Sequence, residues 1–301
     1  MTERWTREQA AAWLRRPEPR DHKYTRGLLG VRTGSARYPG AAVLGVSAAW
    51  RTGVGMVRYA PAHDEAPPYG LPSPAAAVLA ARPEAVFGEG RCDAWMIGSG
   101  TDPAHRAPAE EAALLELLRG DRPVVVDAGA LDLVPRLEHG GAPLILTPHA
   151  GEFDRLWESS GLEPLPDGSA GASVPRRAEL ALRLAGALRS TVLFKGSTSV
   201  CATPGGRTIA HGPATPWLAS AGTGDVLAGI IGSLVAGHAT AVRADPELLG
   251  ELGATAALLH DAAARIAAAD PSGTGTGRPV TALDVAEAIP AAWDGIASAS
   301  A

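Results

Sequence analysis

Cysteine is scarce in this chain of 301 residues, and its scarcity limits the class of protein. The two cysteines, Cys92 and Cys201, lie far apart in sequence and have neither metal-ligand nor C-x-x-C spacing. A disulfide framework and a cysteine-held metal site therefore find no support. We expect both residues to be buried, reduced thiols, which is typical of a cytoplasmic protein.

Long apolar runs and basic clusters are missing as well. Glycines interrupt each apolar run before it reaches the length of a membrane-spanning helix. The charged segment 1–16 lacks the apolar core of a signal peptide and has the pattern of a short amphipathic helix. The net charge is only −5, and aromatic residues make up 5% of the chain, too few for a base-stacking surface. We therefore predict a cytoplasmic protein with neither a membrane nor a nucleic acid as partner.

Short strand-like runs alternate with Ala/Leu-rich helical stretches along most of the chain. The predicted strands lie at 27–34, 55–60, 94–100, 123–131, 143–149 and 191–198. The predicted helices lie at 40–53, 108–120, 175–190, 225–238, 247–269 and in a terminal segment from Thr281, with loops at 66–74 and 160–173. The alternation predicts βαβ units, and hence an α/β protein with a mostly parallel sheet covered on both faces. No composition break or internal repeat divides the chain, so we predict a single domain over residues 1–301.

The most informative segment is LASAGTGDVLAGIIGSLVAGH, which spans residues 218–238. Gly222, Thr223 and Gly224 precede Asp225 and a helix-like run, and glycines at a helix N-terminus let backbone N–H groups approach a phosphate. A carboxylate here opposes an anion, which suggests that Asp225 accepts a proton from a hydroxyl beside a phosphoryl group. Alternatively, Asp225 is an ordinary N-cap after a tight glycine turn.

Other polar residues follow predicted strands, at the edge where the ligands of open α/β sheets collect. Asp127 either orients a metal-bound water or stabilises the next turn, and we favour a supporting role over a direct one. Lys195 begins the segment KGSTS at 195–199, directly after an apolar strand. Its ammonium, glycine and hydroxyl groups suit the phosphate or ribose of a nucleotide better than an exposed hairpin.

Further candidates lie near the starts of two helices. Thr147 is predicted to cap the helix that follows it, with Pro148 and Glu152 in the first turn. His149 either contacts a ligand or makes a local hydrogen bond, and the residues favour neither alternative. Gly100 belongs to a glycine pair that admits a bulky ligand. The small residues Ala41 and Ala42 permit close approach of a ligand or of the sheet.

Taken in order, these segments resemble the ADP/ATP-dependent NAD(P)H-hydrate dehydratases, which are metabolite-repair enzymes of the ribokinase-like superfamily. The resemblance rests on HK-x-x-x-G, GAA followed by RTGVG, I-G-x-G, VDAGAL, LTPHAGEF, LFKG and AGTGDVLAGIIG, and it runs from His22 to His238. Each motif alone is moderately specific, whereas LTPHAGEF and GTGDVLAGIIG at this separation are strongly so. The resemblance implies a three-layer α/β/α ribokinase-like fold with a nucleotide beside the glycine turn.

The resemblance also implies an activity and a set of site residues. The family restores NADH or NADPH from the S-form of the hydrate (NADHX or NADPHX), with ADP giving AMP and phosphate, or with ATP. Asp225 is implied as the catalytic base, with hydrate contacts at Ala41, Ala42, Gly100, His149 and Asp225. Nucleotide contacts are implied at Lys195, Gly196, Ser197, Thr198, Ser199, Gly222, Thr223 and Gly224.

The resemblance extends to the cation and to partners. It implies Mg²⁺ on the nucleotide phosphates, without a carboxylate cage in the sequence to hold it. It also implies a homotetramer. Because only a short segment precedes His22, we predict no fused epimerase domain and a separate NAD(P)H-hydrate epimerase as functional partner.

The chain departs from the family pattern at Ser99, in the loop GPATPWLASAG and at Ala221. Two alternatives stay open. One is a related small-molecule kinase of the hydroxymethylpyrimidine or hydroxyethylthiazole type, in which Asp225 is the same base. The other is a catalytically silent nucleotide-binding protein, which the changes near Trp217 and Ala221 motivate and the presence of Asp225 opposes.

Overall fold

A computed structural model describes residues 2–63, 70–88, 90–138 and 141–298 of the chain. Its strands are β1 Glu3–Arg4, β2 Leu28–Arg32, β3 Met56–Tyr59, β4 Val86–Phe87, β5 Ala94–Ile97, β6 Val124–Val126, β7 Leu144–Leu146, β8 Thr191–Phe194, β9 Ser199–Ala202 and β10 Thr208–His211. They form a ten-stranded sheet in the order β1-β10-β9-β8-β7-β6-β5-β2-β3-β4.

The central part of this sheet is parallel. Every neighbouring pair from β4 through β3, β2, β5, β6 and β7 to β8 is parallel, so these strands have their carboxyl ends on one edge. β9 and β10 continue the sheet beyond β8 as antiparallel strands, and β1 pairs in parallel with β10. Residues that follow β5, β6, β7 and β8 are therefore neighbours in space although they are distant in sequence.

Helices cover both faces of the sheet. They are α1 Arg7–Ala11, α2 Pro39–Thr52, α3 Pro74–Ala81, α4 Pro108–Arg119, α5 Ala150–Ser159, α6 Val174–Leu188, α7 Thr223–Gly237, α8 Ala239–Ala244, α9 Leu248–Ala267 and α10 Ala282–Ala297. α2, α7, α9 and α10 pack together over one core, and α4, α5 and α6 cover the other. In β6, Val125 belongs to the first core, and Val124 and Val126 belong to the second. This alternation of side chains between two faces confirms the predicted three-layer α/β/α architecture.

The six predicted strands are all present, each shorter than its pattern. β1, β4, β9 and β10 are absent from the prediction. β1 and β4 have only 2 residues each, too few to show a period, and no helix separates β8, β9 and β10, so these two strands fall outside the alternation of strands and helices. Segment 1–16 contains β1 and the short helix α1 instead of one amphipathic helix. The loop at 160–173 is confirmed. Of the loop predicted at 66–74, residues 66–69 lie outside the described residues.

Two further expectations concern membrane-spanning helices and the two cysteines. Across the described ranges, no helix is both long enough and apolar enough to cross a bilayer. Cys92 and Cys201 are both free and buried, as expected. Burial raises the pKa of the Cys92 thiol to about 12, which keeps this thiol protonated at neutral pH. The single domain over residues 1–301 stays a prediction.

Candidate active site

A buried hydrogen-bond network joins the carboxyl ends of four neighbouring strands, β5 to β8. Asp127, directly after β6, accepts hydrogen bonds from the hydroxyl of Ser99 beyond β5 (2.8 Å) and the hydroxyl of Thr147 after β7 (2.7 Å). The ammonium of Lys195, directly after β8, donates a third bond at 2.8 Å. The Asp127 side chain is 3% exposed. The parallel topology thus brings four separate sequence segments to one carboxylate. We call these four residues the strand-end network.

Lys195 decides the charge state of the strand-end network. Burial raises the pKa of Asp127, but the Lys195 ammonium and the two hydroxyl donors outweigh burial and hold that pKa below its usual value. Burial conversely lowers the pKa of Lys195, yet Asp127, Glu152 and Asp225 outweigh it and raise that pKa. Both partners are therefore ionised at neutral pH. Asp127 thus bonds to side chains that follow the neighbouring strands, and its supporting role in a ligand site stays a prediction.

Asp225 is the third residue of α7 and not its N-cap. Gly222 is the N-cap, and its φ of 87° is one that residues with a side chain rarely adopt. A Cβ at this position would also lie 2.6 Å from Cδ1 of Leu44. In the described structure no side chain caps this helix end. The alternative in which Asp225 caps the helix is therefore wrong.

The environment of Asp225 is unfavourable for a negative charge. Burial and the nearby carboxylate of Asp127 raise the pKa of Asp225 to about 7, and the ammonium of Lys195 offsets them only in part. Among the residues that the structure describes, none forms a hydrogen bond to the Asp225 carboxylate. A carboxyl group with a pKa near neutrality is well suited to accept a proton as a general base.

The segment KGSTS joins β8 to β9 as the tip of a hairpin, and it lines a cavity of about 400 Å³, which we call the hairpin pocket. The start of α7 and the segment before it form another wall. The lining residues are Lys195, Gly196, Ser197, Ser199, His211, Ala214, Thr215, Pro216, Leu218, Ala219, Thr223, Gly224, Leu227, Ala257 and His260. A Cβ at Gly224 would lie 3.7 Å from Nζ of Lys195, so the ammonium and the helix N-terminus share one space that favours an anion.

Arg177 of α6 supports the hairpin tip. Its guanidinium donates hydrogen bonds to the carbonyl oxygens of Phe194 (3.1 Å) and Lys195 (2.8 Å), and it lies 3.7 Å from the centre of the Phe194 ring. A Cβ at Gly196 would lie 2.6 Å from Nη2 of Arg177, so a larger residue at this position would displace the guanidinium. Arg177 occupies a helical stretch with no distinguishing motif, and the sequence therefore does not mark it.

A second cavity, the His149 pocket, measures about 880 Å³ and lies beside the residues that follow β5, β6 and β7. Its lining residues are Tyr38, Gly100, Thr101, Asp102, Pro103, Ala128, Gly129, Leu131, Asp132, His149, Glu152, Arg155, Leu156 and Ser159. Ala41 adjoins Gly100, where an added Cβ would lie 2.3 Å from the Cβ of Ala41. Ala42 is fully buried, and a Cβ at Gly34 would lie 2.8 Å from its own Cβ.

His149, not Thr147, is the N-cap of α5. Its Nδ1 accepts a hydrogen bond from the backbone N–H of Gly151 at 3.1 Å, and the Glu152 carboxylate accepts from the backbone N–H of His149 at 2.8 Å. The prediction for Thr147 is wrong because its hydroxyl donates to Asp127 instead. With Nδ1 an acceptor, the neutral ring carries its proton on Nε2. The His149 side chain is 58% exposed, so it makes a local hydrogen bond and also remains accessible to a ligand.

Glu152 connects the two cavities. It lines the His149 pocket, and its Oε2 lies 3.8 Å from Nζ of Lys195, which lines the hairpin pocket. Gly100 and His149 therefore face one cavity, while Lys195, Gly196, Ser197, Ser199, Thr223 and Gly224 face the other. Thr198 and Gly222 are not among the described lining residues of the hairpin pocket. Asp225 is not among the described lining residues of either cavity, and its carboxyl group interacts electrostatically with Lys195 and Asp127.

Three polar lining residues of the hairpin pocket are absent from the sequence prediction: His211, Thr215 and His260. His211 ends β10, a strand that no helix separates from β9 and that therefore lies outside the predicted alternation. Thr215 belongs to the loop already noted for departing from the family pattern. His260 lies in a long apolar helical run, where a single histidine has no spacing that distinguishes it from a core residue.

The described residues hold no group of three or more His, Cys, Asp or Glu side chains arranged to bind a metal ion. The oxygens of Asp127 are occupied by donors of the protein itself. This donor set fits a cation bound by the phosphate oxygens of a ligand rather than by a cage of carboxylates.

Known proteins are similar to this chain in sequence and in fold. The model of the NAD(P)H-hydrate dehydratase family matches residues 29–290. The bifunctional NAD(P)H-hydrate repair enzyme Nnr of Mycobacterium tuberculosis is 44% identical over 232 residues, covering 73% of this chain and 43% of that enzyme. The ADP-dependent (S)-NAD(P)H-hydrate dehydratase of Xanthomonas campestris is 37% identical over 264 residues, covering 81% of this chain and 85% of the relative. The chain spans about half the length, or less, of the bifunctional relatives.

Solved structures agree with these matches. An ADP/ATP-dependent NAD(P)H-hydrate dehydratase from Bacillus subtilis, co-crystallised with ATP and Mg²⁺, has a TM-score of 0.78 at 27% identity, covering 98% of this chain and 99% of its own. A ribokinase-like superfamily protein from Enterococcus faecalis, at 19% identity and a TM-score of 0.71 over 98% of this chain and 96% of its own, shows the same fold. Because the family model covers most of its length, including Asp127, Lys195 and Asp225, this chain belongs to the NAD(P)H-hydrate dehydratase family.

Proposed function

We propose that the protein dehydrates the S-form of hydrated NADH and NADPH, with ADP as the phosphoryl donor and AMP and phosphate as products. One observation carries the proposal: burial raises the pKa of Asp225 to about 7, in the first turn of α7 and close to the Lys195 ammonium. The name of the Xanthomonas campestris relative, which specifies ADP and (S)-NAD(P)H-hydrate, supports the choice of substrates.

The two cavities suit the two substrates. In the hairpin pocket, Lys195 and the N-terminus of α7 complement the phosphates of the nucleotide, and the apolar side chains of Leu218 and Leu227 suit its base. The His149 pocket, about 880 Å³ in volume, takes the hydrated dinucleotide. Gly100 lines it without a side chain, which permits close approach of the nicotinamide ring. Ala42 stays a predicted contact, through its backbone, because its side chain is buried.

Asp225 acts on the hydroxyl that hydration leaves at C6 of the nicotinamide ring. A hydroxyl is a poor leaving group and must be converted to a phosphate ester before elimination. As the C6 oxygen bonds to the terminal phosphorus, the bond from that phosphorus to the oxygen of AMP breaks, and the hydroxyl proton passes to Asp225. Backbone N–H groups of the 222–224 turn stabilise the charge on the transferred group.

Elimination then completes the repair. The C6–O bond breaks, and phosphate leaves with the electron pair. Loss of the proton at C5 supplies the pair that forms the C5–C6 double bond of the dihydropyridine. Lys195 contributes before this step, since its ammonium lowers the pKa of Asp225 that burial and Asp127 raise. Without Lys195, less of the Asp225 carboxyl would be ionised at neutral pH.

Mg²⁺ on the nucleotide phosphates supplies charge neutralisation for phosphoryl transfer. The residues of this chain fit an ion held in that way, since those described offer no carboxylate cage. Lys195 is the cation that the protein itself contributes beside the anion site. The homotetramer and the separate epimerase stay predictions from the family resemblance, and the cytoplasmic location stays a prediction from the sequence.

The proposal is tested with purified protein, hydrated NADH, ADP and Mg²⁺. We expect the near-ultraviolet absorbance of the dihydropyridine to return, with one AMP and one phosphate formed for each NADH restored. A phosphorylated hydroxymethylpyrimidine or hydroxyethylthiazole, without repair of the hydrate, would support the kinase alternative. Nucleotide binding with neither reaction would support the silent nucleotide-binding protein.

A further inference from the structure

One wall of the hairpin pocket is the segment 211–216, which begins at the last residue of β10 and leads toward α7. His211, Ala214, Thr215 and Pro216 of this segment line the cavity. The segment has no regular structure from 212 to 215, so its shape depends on contacts that it makes with other elements. Those contacts come from the hairpin tip on one side and from α9 on the other.

Asp261 of α9 is the centre of the contacts from the helix. Its Oδ1 accepts a hydrogen bond from the backbone N–H of Thr215 at 2.7 Å, and its Oδ2 lies 3.3 Å from Nε2 of His211. Because an ionised carboxylate can only accept, Nε2 of His211 carries the proton and donates it. Asp261 is buried, and it is not among the described residues that line the pocket. It therefore acts on a ligand only through other residues.

Arg265, one helical turn further along α9, completes the arrangement. Its Nε donates to both carboxylate oxygens of Asp261 at 3.0 Å, and its guanidinium also donates to the carbonyl oxygen of Pro213 at 3.0 Å. Burial raises the pKa of Asp261, but the bonds from His211, Thr215 and Arg265 outweigh it and lower that pKa. The carboxylate is thus ionised and fully paired at neutral pH.

The same segment also holds the hairpin tip. The backbone N–H of Ala214 donates to the carbonyl oxygen of Ser197 at 2.7 Å, and His211 pairs with Ser199 in the register of β10 with β9. A Cβ at Gly212 would lie 2.7 Å from Cα of Thr198, so the two segments are in direct contact. A displacement of 211–216 would consequently displace residues implied in nucleotide binding.

We propose that Asp261 is a positioning residue for the nucleotide, which fixes segment 211–216 against the hairpin tip in the conformation that binds ADP or ATP. This inference rests on the proposed function, and it adds a residue that sequence motifs and the reacting groups do not include. The buried carboxylate of Asp261 accepts hydrogen bonds from the side chains of His211 and Arg265 and from the backbone N–H of Thr215, and these bonds fix one wall of the hairpin pocket.

The test compares Asp261→Ala with Asp261→Asn, which keeps an oxygen acceptor for the N–H of Thr215. ADP binding is measured by titration calorimetry and steady-state kinetics in parallel. For Asp261→Ala we expect Kd and KM for ADP to rise about tenfold or more, the size expected when bonds to a charged group are lost. We expect kcat and KM for the hydrate to stay within about threefold, and Asp261→Asn to recover most of the ADP affinity.

A structural readout separates positioning from general destabilisation. Amide hydrogen exchange at Thr215 should accelerate in Asp261→Ala and stay slow in Asp261→Asn, because only the alanine removes the acceptor. Asp294→Asn is the matched control, since Asp294 is an exposed acid of α10 with a side chain 72% exposed. It should change neither ADP affinity nor exchange at Thr215.

The outcomes are distinguishable. Wild-type protein that binds no ADP contradicts the proposed function itself. Wild-type protein that binds ADP, beside a folded Asp261→Ala of equal affinity, overturns the role of Asp261 alone. If Asp261→Ala does not fold, Arg265→Met replaces it, because Arg265 bonds both Asp261 and the carbonyl oxygen of Pro213 in the segment and is not among the described lining residues of the pocket. An unchanged Kd for ADP in Arg265→Met then overturns the inference.

Discussion

The strand-end network and the first turn of α7 each place one carboxylate at the same edge of the sheet, yet their environments shift the pKa values of these two groups in opposite directions. Asp127 accepts hydrogen bonds from three side chains, and these hold its pKa below the usual value. Asp225 receives no hydrogen bond from the described residues, and burial with the charge of Asp127 raises its pKa to about 7. Such a difference between the pKa values of two nearby carboxyl groups is typical of sites that need one fixed charge and one proton acceptor.

The difference lies in what surrounds each group and not in residue type. Asp127 follows a central strand and is enclosed by residues after the strands on both sides. Asp225 lies in the first turn of a helix whose N-cap is a glycine, so no capping side chain approaches it. Lys195 is shared by both environments, and it stabilises the charge of Asp127 more than that of Asp225. Four experiments can break or sharpen this contrast.

The largest effect is expected for Asp225→Asn. Removal of the base should lower kcat by about a thousandfold, within the range for general-base catalysis, while Kd for ADP changes only a few-fold. Because the pKa of Asp225 is raised from 3.8 to about 7, the folded state holds an extra proton between these values and loses stability as pH rises through that window. The variant lacks this loss, and above pH ~7 its free energy of unfolding should exceed that of the wild type by up to about 4 kcal/mol.

Urea denaturation at several pH values measures the stability of Asp225→Asn. Asp284→Asn is its matched control, because Asp284 is also the third residue of a helix but accepts the capping-box bond from Thr281, which lowers its pKa. The control should keep full activity and lose stability instead of gaining it. If Asp225→Asn fails to fold or keeps its activity, the assignment of the base is wrong.

The second experiment, Lys195→Met, removes the cation shared by the two regions. Asp127 then keeps only hydroxyl partners for a buried charge, and we expect the free energy of unfolding to fall by about 3–5 kcal/mol. The double variant with Asp127→Asn should recover part of this loss, since it removes the unpaired charge. Equal stability of Lys195→Met and the wild type would show that the pair does not hold the strand ends together.

The third experiment follows wild-type activity with pH. Asp225 must be ionised to accept a proton, so kcat/KM for the hydrate should rise with pH up to about 7 and then level off. Below that value we expect a loss of about tenfold per pH unit. Circular dichroism at each pH confirms that the fold is intact. A profile that stays flat from pH ~5 to ~7 would exclude a base with the environment of Asp225.

The smallest effect concerns the hydroxyl donors. Thr147→Val removes one hydrogen bond to Asp127. We expect the free energy of unfolding to fall by about 1–3 kcal/mol, with kcat nearly unchanged. Thr147→Ser, which keeps the hydroxyl, is the matched control and should lose less. A large fall in kcat for Thr147→Val, with stability intact, would instead place Thr147 in the reaction.

The alternation of β-branched and Ala/Leu-rich segments is sufficient to predict the layers, the six strands of the parallel part of the sheet from β2 to β8 other than β4, and most long helices. Periodicity works there because a buried strand or an amphipathic helix leaves its pattern in the sequence. β9 and β10 fall outside the alternation, since no helix separates them from β8 or from each other. His211, the last residue of β10, is therefore not among the site residues that the sequence predicts. The cap of α5 was assigned to Thr147, because both Thr147 and His149 can accept a backbone hydrogen bond.

The sequence by itself determined the fold class, the family and the identity of Asp225 as the residue to examine, since all three depend on local patterns and motif spacing. The environment of Asp225 was decided only by tertiary structure. Parallel strands bring Ser99, Asp127, Thr147 and Lys195 together from distant segments, and the burial and charge around Asp225 follow from that convergence. The same holds for Asp261, which meets His211 across 50 residues of sequence. A pKa depends on neighbours in space, and neighbours in space are set by topology.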